Sequence, residues 1–87
     1  MPSYSRTWAE SVGTTVAVKI PANPKRLSLL IQNLSANVLY VMTSGNLDVT
    51  KGIQVLDSYE TENQGELYLL ASGAASDTRL EEVVQGA

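Results

Sequence analysis

Apolar residues recur at every second position through most of this chain, in short runs that turn-forming residues interrupt about every ten positions. Side chains alternate faces along a strand, whereas a helix repeats every 3.6 residues. A period of two therefore predicts strands with one buried face. In residues 14–20, Val16, Val18 and Ile20 fall on one face, and Thr15, Ala17 and Lys19 on the other. Pro21-Ala22-Asn23-Pro24 ends the run, because two prolines remove two ladder donors and fix φ twice. Residues 26–33 resume it, with Leu27, Leu29 and Ile31 on one face and Leu30 opposite, between Ser28 and Gln32. Asn33-Leu34-Ser35-Ala36-Asn37 has the length of a hairpin connection.

Val38-Leu39-Tyr40-Val41-Met42 is continuously apolar, which at five residues reads as a central strand. Residues 43–51 are polar, with a turn cluster at Ser44-Gly45-Asn46. A short strand is expected at Gly52-Ile53-Gln54-Val55-Leu56, another at Tyr59-Glu60-Thr61-Glu62, and a turn at Asn63-Gln64-Gly65. Residues 66–72 place Leu67, Leu69 and Ala71 on one strand face. The last segment, residues 76–85, has two readings. Thr78-x-x-Glu81 matches a capping box and Gly86 suits a helix end. A strand running through Thr78, Leu80 and Glu82, or through Arg79, Glu81 and Val83, is preferred, since a lone two-turn helix has little to pack on.

These elements predict an all-β fold: a small antiparallel β-sandwich, jelly-roll-like or immunoglobulin-like, or a compact barrel, of six to eight short strands. Residues 12–87 form the single sandwich domain and residues 1–11 an N-terminal arm. Val18, Leu29, Ile31, Val41 and Leu69 are the expected core. A chain of 87 residues buries only about 63% of its unfolded surface, so the core is thin and association with a partner or a second copy is expected.

Composition narrows the chemistry. There is no Cys, hence no disulfide, thiolate metal site or Cys nucleophile, and no His, hence no Ser-His-Asp triad. Six Lys and Arg against nine Asp and Glu give a net charge of −3, which disfavours nucleic acid as a partner. No apolar run approaches the roughly 18 residues of a membrane span, and the first residues lack the apolar core of a signal peptide. No G-x-x-x-x-G-K or G-x-S-x-G occurs. The expectation is a non-enzyme with no cofactor, no metal and no catalytic residue.

Some residues still invite a functional reading. Asp57, Glu60, Glu62 and Glu66 are an acidic group that suits a cation or an acid–base pair, against the simpler reading of a solvated strand face. Lys19, Lys25 and Arg26 bracket the proline loop and suit a patch for a phosphate or an acidic partner, against the default of a solvated loop. Tyr40 and Tyr68 sit in strong strand patterns and are read as core. Tyr4 and Trp8 lie in a polar stretch, where a large aromatic ring has little reason to sit uncovered. They are the candidate partner-binding residues, with Trp8 either pinning the arm to its own sandwich or anchoring it on a neighbour.

The run Val16-Ala17-Val18-Lys19-Ile20-Pro21-Ala22-Asn23-Pro24-Lys25-Arg26-Leu27-Ser28-Leu29-Leu30-Ile31-Gln32-Asn33-Leu34-Ser35-Ala36-Asn37-Val38-Leu39-Tyr40-Val41 resembles small virion proteins of tailed bacteriophages. Those chains carry an apolar strand, a P-A-N-P-x-R loop, an L-L-I-Q-N-x-S strand end and an x-x-I-Y-V strand. A glycine turn, a G-I-x-L strand, an acidic strand and a final strand pair follow. The resemblance spans about residues 12–84 and carries over no catalytic residue. It implies a structural virion protein made in the host cytoplasm, above all a capsid decoration (cement) protein on the outer shell. The major capsid protein or another virion protein would be its partner, and a homo-oligomer, favoured as a trimer, its form. The alternative it implies is a head-, tail- or fibre-attached accessory module that recognises a host glycan. The acidic segment 57–66 and the Trp-bearing N-terminus depart from the pattern.

Overall fold

The computed structural model describes residues 3–43 and 48–86. The expected turn Ser44-Gly45-Asn46 lies outside them. Eight strands follow in order: β1 (Ser3–Val12), β2 (Val18–Ile20), β3 (Arg26–Asn33), β4 (Leu39–Thr43), β5 (Ile53–Val55), β6 (Ser58–Thr61), β7 (Leu67–Ala71) and β8 (Ser76–Gln85). A 3₁₀ turn, Val49–Lys51, precedes β5, with the Asp48 carboxylate accepting from the backbone N–H and the hydroxyl of Thr50. The fold is all-β, as the period-two pattern predicts, and residues 76–85 are strand.

The strands form two four-stranded antiparallel sheets, ordered β1-β8-β3-β6 and β2-β7-β4-β5. The first strand pairs with the last, the second with the seventh, the third with the sixth and the fourth with the fifth. A long folded hairpin wrapped on itself produces this order, which is that of a jelly roll. Neighbours in sequence therefore usually sit in opposite sheets. The connection at residues 33–37 has hairpin length but crosses from one sheet to the other. Asn33 makes that corner. Its buried amide donates to the Asn37 and Val55 carbonyls (2.6 and 3.1 Å), and its Oδ1 accepts from the Ser35 backbone and hydroxyl (2.9 and 2.7 Å).

The core lies between the sheets and includes Leu29, Ile31, Leu39, Val41, Leu69 and Leu80. Of the expected core residues, Leu29, Ile31, Val41 and Leu69 are buried, while Val18, on the three-residue edge strand β2, is only partly buried against the cluster. Val16, expected to share its face, precedes β2 and is exposed.

Strand β3 departs from strict alternation. Its register with β8 shifts between Arg26 and Ser28, so one extra residue, Leu27, is accommodated as a bulge. Past the bulge Leu29, Ile31 and Asn33 point inward as alternation requires. Before it the phase is reversed: Arg26 is buried and Leu27, expected on the core face, is 46% exposed.

The second sheet corrects another expectation. Leu39, Val41, Leu67, Leu69 and Ala71 fill its inner face. Tyr40 and Tyr68 alternate with them and so lie on its outer face, half-buried beside Met42 and Leu70. These two sheets thus carry apolar residues on both sides, with Leu30 the half-buried counterpart on the outside of the first sheet.

Candidate interaction surface

Residues 3–12, read from the sequence mostly as an arm, are a ten-residue strand paired with β8 over its whole length, from Ser3 opposite Gln85 to Val12 opposite Ser76. The pattern is faint because β1 is the outermost strand of its sheet. Only Val12 at its inner end reaches full burial, so the remainder stays polar without cost. Tyr4, Arg6, Trp8, Glu10 and Val12 share the inward row, opposite Val84, Glu82, Leu80, Thr78 and Ser76.

Burial along β1 is low before Val12, so much of that row is left uncovered by the other sheet. Tyr4 is 63% exposed, while Trp8 is half-buried against the core edge. The guanidinium of Arg6 stacks over the Trp8 ring, 4.8 Å from its centroid. The indole N–H donates to Glu10 Oε2 (3.2 Å). Trp8 thus packs part of its ring against the core of its own sandwich, while Tyr4, on the same row, stays largely exposed.

Arg6 leads inward to a buried charged pair on the inner face, Arg26 with Glu82. Glu82 on β8 accepts from Arg6 Nε (3.1 Å) through Oε1 and from Arg26 Nε (2.8 Å) through Oε2. The side chains of Arg26 and Glu82 are 0% and 2% exposed, that of Arg6 65%. The remaining Arg26 nitrogens donate to the carbonyls of Asn63 (2.6 Å), Gly65 (3.2 Å) and Pro21 (2.7 Å). One buried guanidinium thereby fastens the proline loop and the 62–66 turn to β8, and every strong donor of the group has an acceptor. Arg26, expected among solvated residues beside the proline loop, is instead buried. The β3 bulge is what turns it inward. A signal was present: Leu80, Glu82 and Val84 fall on one strand face, and a charge among apolar neighbours needs a buried partner.

Burial pushes the Glu82 carboxyl up, but the hydrogen bonds from Arg26 and Arg6, with their charges, outweigh it and hold the pKa below the ordinary 4.5. The sign of the resulting pH dependence follows. Above about 4.5 the carboxyl is ionised folded or unfolded, and its stabilisation is complete. Below that, the unfolded chain takes up a proton that the folded one refuses, so stability falls as pH falls and the contribution is gone below the folded pKa. Urea midpoints measured from pH 6 down to about 3 are expected to drop more steeply for the parent than for Glu82→Gln. Parallel slopes would show that Glu82 is not held ionised.

The other singled-out groups separate. Lys19 pairs with Glu66 (2.9 Å), whose other oxygen accepts from the Tyr68 hydroxyl (2.7 Å). These bonds lower the Glu66 pKa, first through Tyr68 and then through Lys19. Lys25 is exposed at the loop, away from the buried Arg26 in orientation, so the three basic residues form no patch. Asp57, Glu60 and Glu62 are exposed, and among the described residues no three acidic groups gather as a metal site. Tyr59 turns inward against the core.

Comparison with protein-family models, with curated proteins and with solved structures finds no match to this chain.

Proposed function

We propose that this chain is a structural protein of a bacteriophage virion, a capsid decoration protein that binds the outer shell and stabilises it. The observation that carries the reading is the β1 edge: ten residues of strand with an open backbone, topped by the uncovered Tyr4 and the Arg6–Trp8 stack. Long edges are normally blunted by brevity, proline or bulges. Among residues 3–12 this one has none of these; its inward-row charges, Arg6 and Glu10, are of opposite sign and leave the open backbone unblocked, and aromatic rings beside arginine are the usual composition of binding hot spots. The jelly-roll order agrees, since that architecture recurs in viral capsid proteins, though the agreement is one of fold and not of function. The sequence resemblance to phage virion proteins adds the location.

Quantitative mass spectrometry of gradient-purified particles tests the reading. A decoration role predicts this chain in copy numbers of the same order as the major capsid protein. A handful of copies per particle would replace the role by that of a tail- or head-attached module. Absence from particles would overturn it.

A further inference from the structure

We propose that β1 pairs antiparallel with β1 of a second copy, about a two-fold axis at Trp8, joining the two outer sheets into one of eight strands. The proposal goes beyond the preceding reading: it gives the open backbone of β1 a second copy of this chain as its occupant, so that shell binding would fall to the side chains beside the seam, and it does not depend on a virion.

Backbone direction comes first. On β8, the Asp77 carbonyl accepts from Leu34 (3.0 Å) and the Gln85 N–H donates to Lys25 (2.8 Å), both on the β3 side. Strand hydrogen-bonding groups alternate sides along a regular strand, and the β1–β8 register is unbroken from end to end. The even-numbered residues of β8 therefore bond β1, and so do the even-numbered residues opposite them. That leaves Ser3, Ser5, Thr7, Ala9 and Ser11 with their N–H and C=O groups aimed at the open edge.

In any antiparallel self-pairing these odd residues must meet odd residues. Only a few registers satisfy that condition with substantial overlap. An axis at Arg6 opposes Arg6 to itself, one at Glu10 opposes Glu10 to itself, and axes at Thr7 or Ala9 leave Arg6 and Glu10 without each other, opposite Trp8 and Tyr4 or opposite Val12 and Trp8. An axis at Trp8 sets Arg6 opposite Glu10 of the other copy twice over, Trp8 opposite Trp8, Ser5 opposite Ser11 and Thr7 opposite Ala9. The charged and aromatic pairs then occupy non-hydrogen-bonded positions, where Cα atoms stand about 4.5 Å apart and side chains come closest. The strand reads as its own complement in charge, in aromatic content and in small hydroxyl residues. A two-fold contact of this kind closes on itself. The trimer implied by the resemblance would have to use another surface.

The chain contains no cysteine, which makes the register directly testable. Ser5→Cys and Ser11→Cys place thiols on paired residues about 5.5 Å apart at Cα, within disulfide reach. Mild oxidation of an equimolar mixture of the two folded variants is expected to give a cross-linked dimer, and neither variant alone should cross-link through this edge. Light scattering on the intact chain should give about twice 9.3 kDa. Ala9→Pro removes only an edge-directed N–H, so it should return the mass to that of the monomer with the circular dichroism of the parent. Should Ala9→Pro fail to fold, the cysteine mixture still decides. A monomeric intact chain, a trimer, a folded Ala9→Pro dimer, or no mixed disulfide would each overturn the proposal. A monomer abundant on capsids would sink this pairing and leave the virion role standing. A two-fold dimer absent from particles would do the reverse.

Discussion

Glu82→Ala is expected to cost about 3–5 kcal/mol, the usual penalty for stripping one partner from a buried ion pair. A domain of this kind has only about 5–15 kcal/mol in total, so the variant should melt far below the parent or fail to fold. The loss is large because Arg26 stays behind. Its guanidinium is fully buried, and carbonyls of Asn63, Gly65 and Pro21 can solvate it but cannot neutralise it. Removing both charges is a different experiment. Arg26→Met with Glu82→Leu should recover most of the loss, since apolar replacements of a buried pair are often neutral or stabilising. Some deficit should remain, because three carbonyls lose their donor. Urea unfolding of the single and double variants measures this. A single-variant cost below about 1 kcal/mol would mean the pair is solvated, in the range of surface ion pairs.

The second large effect separates two leucines of the same strand, Leu27 and Leu29. Leu29→Ala and Ile31→Ala should each cost about 2–5 kcal/mol, because both side chains are fully enclosed between the sheets. Leu27→Ala, two residues before Leu29, should stay within about 0.5 kcal/mol. Simple alternation assigns all three to one face and so predicts equal costs. The bulge between Arg26 and Ser28 breaks that equality. Equal destabilisation by Leu27→Ala and Leu29→Ala would place the bulge elsewhere.

These two cases mark where the sequence was readable. A strand with one dry face, such as Leu29 to Asn33, announces itself through period two, because burial demands it. A bulge adds one residue without changing composition, so the phase of residues 26 and 27 was hidden. Charge at Glu82 was visible, but its partner lies 56 positions away and is brought to it only by the rolled topology. Tyr40 and Tyr68 were misplaced for another reason. The runs around them are apolar on both faces, and an all-apolar run does not say which face is inside. The edge strand β1 was legible only as two unexplained aromatics, Tyr4 and Trp8. Its backbone is satisfied on one side alone, and its side chains are mostly in solvent, so selection for burial left little pattern on it. What it does have is the Arg6-Thr7-Trp8-Ala9-Glu10 arrangement, whose meaning depends on which way each N–H points.

Both the proposed role and the proposed pairing require β1 to be an open edge that a partner completes. Residue-resolved amide hydrogen exchange on the assembled protein tests it most directly. The even-numbered amides from Tyr4 to Glu10 are bonded to β8 and should be slow in any folded state. The account predicts that Ser5, Thr7, Ala9 and Ser11 are also slow in the assembly and become fast in monomeric Ala9→Pro, measured there at Ser5, Thr7 and Ser11. Fast exchange at these odd positions in the assembled protein, beside slow even ones, would contradict it.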